Sequence, residues 1–157
     1  MNIRNVQEED YIPIITVLND WWGGRNMADM LPKLFFQHFQ NTSFMCEKDG
    51  NIAGFVIGFV SQTRKAEAYI HFVGVHPDYR SKGIAKALYE TFFEAVQNIG
   101  CQTVGCVTSP VNKGSIAYHT KMGFEIRTGT KAINGISVHE NYDGRGQDRV
   151  LFFKKLL

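Results

Sequence analysis

Val73-Gly74-Val75-His76-Pro77-Asp78-Tyr79-Arg80-Ser81-Lys82-Gly83-Ile84-Ala85-Lys86-Ala87-Leu88 is the stretch on which the reading of this 157-residue chain turns. It reads as a strand, a proline-punctuated turn and a glycine-containing loop that runs directly into a helix. A loop of that kind presents backbone N–H groups at a helix start, where unpaired donors and the helix dipole both attract anions. Arg80 and Lys82 stand against the positive end of that dipole, and a bound anion would repair the misplacement. The first expectation is therefore a phosphate or pyrophosphate site.

The elements around this stretch define the fold class. Asn2 to Val6 alternates as a short strand. Asp10 sits at a cap position with Pro13 in the first turn, ahead of Tyr11, Ile14, Ile15, Leu18 and Trp22 at helical spacing. Gly23-Gly24 stops that helix, and a second begins near Pro32 with Leu34, Phe35, His38 and Phe39 along one side. Ser43–Lys48 and Ile52–Ser61, joined by Asp49-Gly50-Asn51, form an antiparallel hairpin, and a further strand runs from Ala66 to Val75. Ile84, Ala87, Leu88, Thr91, Phe92, Ala95 and Ile99 mark a long helix ended by Gly100.

Cys101–Thr108 is again a strand, and Asn112 caps a helix that closes at Gly123. Phe124–Thr130 and Arg149–Leu156 are the last strands, with a tight turn at Asn134-Gly135 between them. The order βααβββαβαββ specifies an α/β fold: a mixed, mostly antiparallel central sheet with helices on both faces, in one domain over residues 1–157.

Composition narrows the class further. Apolar residues make up 44% and charged residues 20%, with a net charge of +2, which is ordinary for a globular chain. Nothing marks nucleic acid as a partner, and no run has membrane-spanning length. Cys46, Cys101 and Cys106 lack metal-binding or CxxC spacing, so reduced thiols and a cytoplasmic location are expected. No two histidines are spaced as metal ligands, and no metal is expected.

The element order, together with Arg80-Ser81-Lys82-Gly83-Ile84-Ala85, resembles the GNAT superfamily of acetyl-CoA-dependent N-acetyltransferases. Its loop pattern is Arg/Gln-x-x-Gly-x-Gly/Ala, entered through hydrophobic-x-Pro-x-x-Arg, here Val75 to Arg80. Asn112-x-x-Ser115-x-x-Tyr118-His119-x-x-x-Gly123-Phe124 is similar to the second motif, Asn-x-x-Ala-x-x-x-Tyr-x-x-x-Gly-Phe. The resemblance implies acetyl-CoA as co-substrate and a primary amine as acceptor, attacked directly in a ternary complex. A non-catalytic acyl-CoA-binding module carries the same motifs.

By that resemblance Arg80, Ser81, Lys82, Gly83, Ile84 and Ala85 hold the pyrophosphate, with Asn112 beside the coenzyme. The backbone of Val73 and Val75 pairs with the pantetheine arm. Strict alternation puts Glu67, Tyr69, His71, Val73 and Val75 on one face of their strand. An amine near pKa 10 must lose a proton before it can attack, and a neutral imidazole near 6.5 can take it. His71 is the expected general base, since some family members carry a histidine there.

The family's tyrosine acid falls on His119 by register, with Tyr118 one place earlier; both stay candidates. For the acceptor, Trp21 and Arg25 between the first two helices, with Tyr69, are the expected wall. The acceptor is expected to be a small amine, with a peptide or protein amine as the alternative. Homodimers are frequent in the family.

Overall fold

The computed structural model describes all 157 residues. In chain order it contains β1 (Asn2–Asn5), α1 (Tyr11–Trp21), α2 (Leu34–His38), β2 (Phe44–Lys48), β3 (Asn51–Val60), β4 (Glu67–Val75) and α3 (Ile84–Ile99). There follow β5 (Thr103–Thr108), α4 (Lys113–Lys121), β6 (Glu125–Ile126), β7 (Lys131–Ile133), β8 (Ile136–Val138) and β9 (Val150–Lys155). Seven strands form one sheet in the order β1-β2-β3-β4-β5-β9-β6, and β7 and β8 form a separate hairpin. Every pairing is antiparallel except β4 with β5.

The sheet buries a core on each face. Ile14, Leu18, Trp21 and Phe36 from α1 and α2 pack with Phe55, Ile57 and Phe72 on one side. Ile84, Leu88, Phe92 and Val96, spaced four apart along α3, pack on the other with Ala53, Val56, Val104 and Phe152. Two glycines let that helix approach. A Cβ on Gly54 would lie 3.1 Å from both Ile84 Cγ2 and Leu88 Cδ1, and one on Gly58 would lie 2.8 Å from Phe92 Cζ. The helix that begins at the anion loop is thus seated on β3 by residues that lack a side chain.

One irregularity shapes β4. Ile57 faces Phe72 while the next β3 residue, Gly58, faces Ile70, so His71 is an extra residue, a β-bulge. The expected alternation fails there. Ala68 and Ile70 join the core under α3, whereas Phe72 joins the core under α1 and α2. His71 also faces α2, with its ring stacked on Phe35 at 4.3 Å. Val73 and Val75 turn to the α3 side, the opposite of the face expected for them.

The turns behave as their residues require: Asp49-Gly50 and Asn134-Gly135 both take positive φ, the two-residue hairpin geometry. Three local expectations are corrected. The strand expected over Phe124–Thr130 shrinks to Glu125–Ile126. α2 spans only Leu34–His38 and buries Phe36, while His38 is exposed. Asp10 does not cap α1; its carboxylate accepts from the Gln7 amide at 2.7 Å and both Arg4 terminal nitrogens at 2.8 and 2.9 Å.

Candidate active site

The loop ahead of α3 leaves its donors free. Gly83 is the N-cap residue, left-handed at φ 81°, and offers no side chain to bond the first-turn amides. The first helical bond is Ala87 N–H to the Gly83 carbonyl, so the amides of Ile84, Ala85 and Lys86 have no intrahelical acceptor. Ser81 also takes a positive φ of 65°, uncommon for a residue with a Cβ. Ile84 is anchored in the core and fixes the loop from below. Ser81 and Lys82 are exposed.

β4 and β5 then part. They pair only over Glu67–Tyr69 and Thr103–Gly105, after which nothing in the sheet faces that edge of β4. The His76 amide donates to Ala53 at 2.8 Å, and hydrogen-bonded and non-bonded pairs alternate in an antiparallel ladder. Gly74 and Phe72 therefore bond β3, and the N–H and C=O of Val73 and Val75 point into the gap. A thin chain with alternating donors and acceptors fits such an edge, in the manner of an added strand.

At His71, Nε2 lies 2.6 Å from the Met30 carbonyl. A carbonyl only accepts, so Nε2 carries the proton and Nδ1, which makes no hydrogen bond, is the basic nitrogen. On the same sheet face lies a groove of about 630 Å³ lined by Phe59, Arg64, Glu67, Tyr69, Arg127 and Tyr142 over the backbone of Gly105 and Val107. Burial pushes the Tyr69 phenol well above its usual range. No cluster of three or more His, Cys, Asp and Glu residues is arranged to hold a metal.

The model of the acetyltransferase (GNAT) family matches residues 7–124. The chain belongs to that family. It is 36% identical over 135 residues to an uncharacterised N-acetyltransferase of Methanocaldococcus jannaschii, covering 78% of this chain and 60% of that one. This chain thus spans somewhat under two thirds of that relative's length. Among solved structures it resembles Ard1 from Thermoplasma volcanium, with a TM-score of 0.78 and 18% identity over 99% of this chain and 97% of that one. It also resembles yncA of Salmonella typhimurium, solved with acetyl-CoA, with a TM-score of 0.73 and 17% identity over 100% and 94%. At these identities the structural likeness concerns the fold.

Within this GNAT chain the other expected residues fall unevenly around the gap. His119 is 9% exposed, and its ring stacks on Phe152 at 4.9 Å. Its Nδ1 donates to the Ser115 carbonyl at 2.7 Å, so Nε2 accepts the Tyr89 hydroxyl at 2.9 Å. Burial lowers its pKa, the Ser115 bond opposing weakly. A neutral ring with both nitrogens engaged has no proton to offer the gap, which departs from the expectation of an acid. Its place is a buried strut between α3 and α4.

Tyr118 is half-buried beside Tyr89, at 5.9 Å between rings, with its hydroxyl unbonded and its pKa raised by burial and by Glu90. Asn112 caps α4, its Oδ1 accepting from the Ser115 amide at 3.1 Å.

Both tryptophans pack against the core, Trp21 the more deeply. Trp21, expected in the acceptor wall, is 5% exposed and stacks on Phe55 in the core. Trp22, expected in the core, is half-buried at its edge against Phe72. Arg25 is exposed and is not in the groove lining. Arg80 sends Nη2 to the Trp21 carbonyl at 2.7 Å and Nε to the Val75 carbonyl at 3.3 Å, so its charge ties α1 to the end of β4.

Arg64, Arg127 and Phe59 went unassigned in the sequence, because their grouping depends on the β3–β4 turn and the chain after β6 reaching one face of the sheet from opposite sides of β5 and β9. Tyr69 was the lining residue expected in the acceptor wall, and Glu67 shared its expected strand face.

Proposed function

We propose that this acetyltransferase moves the acetyl group of acetyl-CoA to the primary amine of a small molecule lying in the groove beside β4. The observation that carries the reading is the open edge of β4 leading straight to the unsatisfied amides before α3. Pyrophosphate oxygens match the amides of Gly83 to Lys86, with the exposed Lys82 beside them. The pantetheine amides match the free N–H and C=O of Val73 and the free N–H of Val75, and the Val73 N–H is placed to polarise the thioester carbonyl.

His71 is the general base in this reading. It stands two residues from Val73, roughly 7 Å along a strand, whereas Glu67 stands six residues away, about 20 Å. Nδ1 of His71 takes the proton of the ammonium, and the amine nitrogen attacks the thioester carbon. As the C–S bond breaks, the Tyr118 phenol supplies a proton to the leaving thiolate, the nitrogen's second proton returns the phenolate to phenol, and the proton held by His71 passes to solvent. A phenol is protonated at neutral pH, as an acid must be, and burial pushes the Tyr118 pKa higher still. Transfer is direct, because burial pushes the Cys106 thiol, at the mouth of the gap, up to about 12 and so leaves almost no thiolate for an acyl-enzyme.

A panel of small amines and short peptides, assayed with acetyl-CoA for thiol release and acetylated product, tests this reading. His71→Gln should lower kcat by 10²–10⁴-fold, in the usual range for a lost general base, with coenzyme affinity unchanged. Activity confined to peptides rejects the small-molecule acceptor. Coenzyme binding with no acceptor ever turned over rejects the enzyme and favours a binding module.

A further inference from the structure

The groove that receives the acceptor has an uneven charge. Arg64 and Glu67 at one end approach to 3.8 Å and offset one another. Arg127 has no carboxylate partner; its guanidinium lies over the Phe153 ring at 4.3 Å, within a lining that also holds Phe59, Tyr69 and Tyr142. Arg149, outside the lining, is already bonded to Asp143 at 2.8 Å and to Gln147 at 3.2 Å. The lining therefore carries one uncompensated positive charge, although the molecule it must admit is an amine, itself cationic in solution. A simple alkylammonium is repelled by such a groove, and an amine with its own negative group is not.

Register gives the spacing. Phe153 pairs with Gly105 and Gly105 pairs with Tyr69, so the Arg127 guanidinium lies two strands away from β4. Two strand spacings are about 9–10 Å, and the step from Tyr69 to His71 adds about 7 Å along the strand, giving a separation on the order of 10 Å from the reacting end.

We infer that the acceptor carries a carboxylate or phosphate on the order of 10 Å from its reactive amine, with Arg127 as the residue that receives it. This rests on the acetyl-transfer reading above. An α-amino acid, whose two groups share one carbon, is too short to reach both ends. The aromatic lining between them, Tyr69 and Tyr142 with Phe59, suits an apolar spacer. Arg127 is exposed and makes no hydrogen bond through its side chain, so it is free to turn toward an anion without breaking the fold.

The test compares kcat/KM for glycine, 6-aminohexanoate, 8-aminooctanoate and an aminoalkyl phosphate with hexylamine and octylamine. The long anionic amines are expected to exceed the matched alkylamines at least tenfold, mainly through KM, with the margin shrinking as salt is raised. The carboxylate and phosphate arms identify which anion is preferred. Arg127→Gln should make the two series converge, and Arg127→Lys should restore part of the preference.

Equal turnover of both series, or glycine as the best substrate, overturns the inference while leaving the acetyl-transfer reading standing. A preference that survives Arg127→Gln overturns the role of Arg127. No turnover of any amine by enzyme that binds acetyl-CoA overturns both readings.

Discussion

Removing the Arg80 side chain should destabilise the protein before any ligand is added. The loop motif suggests a phosphate contact, but the guanidinium reaches the Trp21 carbonyl at 2.7 Å and, more loosely, the Val75 carbonyl at 3.3 Å. Hydrogen bonds from charged donors contribute about 1.5–3 kcal/mol each, and the longer one here is exposed, so Arg80→Ala should cost about 2 kcal/mol. At this chain length each kcal/mol moves the melting temperature by roughly 2–4 °C, which gives a fall of about 4–8 °C in thermal denaturation without coenzyme. Arg80→Lys should recover little, since one ammonium cannot span two carbonyls on different elements. Coenzyme affinity should weaken only modestly, as β4 loses its tie to α1. An unchanged melting temperature with a tenfold or greater loss of affinity, restored by lysine, would refute the strut and reinstate a direct phosphate contact.

Three further outcomes follow from the packing and the buried charges. Gly58→Ala places a methyl group 2.7 Å from the Tyr69 carbonyl oxygen and against the Phe92 ring. It should lower stability by about 1–3 kcal/mol in denaturant titration and tilt α3 away from β3. His119 is held neutral by burial, so its folded pKa lies below its unfolded one and the unfolded chain binds the extra proton. Stability should therefore be flat above about pH 6.5 and fall by up to about 1.4 kcal/mol per unit as pH drops below it, a slope absent in His119→Gln. Tyr89→Phe removes the hydroxyl that His119 accepts at 2.9 Å and should cost about 1 kcal/mol, measured in the same titration.

The parts of the fold legible in the sequence were those set by local rules. The Asp49-Gly50 and Asn134-Gly135 turns, the left-handed Gly100 stop and the α3 stripe each follow from a residue's own conformational preference. The bulge at His71 was hidden, because Ala68, Ile70, Phe72 and Gly74 keep an unbroken small-apolar alternation while the backbone changes face between Ile70 and Phe72. Trp21 and Trp22 could not be told apart, since both complete a helical stripe with Leu18 and only the neighbouring Phe55 and Phe72 choose between them. His119 falls at the motif's tyrosine position, but whether a histidine there meets the gap or the core depends on Tyr89, thirty residues away in sequence. The groove was the least legible, being assembled from β3, the β3–β4 turn, β4, β5, β9, Arg127 just after β6 and the loop carrying Tyr142.

Amide hydrogen exchange with and without the coenzyme tests the central claim most directly, because it reads the open β4 edge and the loop amides themselves. Slowing of at least tenfold at Val73, Val75 and Gly83 to Lys86, with little change at Leu88 to Val96 already bonded inside α3, is the predicted result. Saturating coenzyme that leaves Val73 and the Gly83–Lys86 amides unprotected would contradict it.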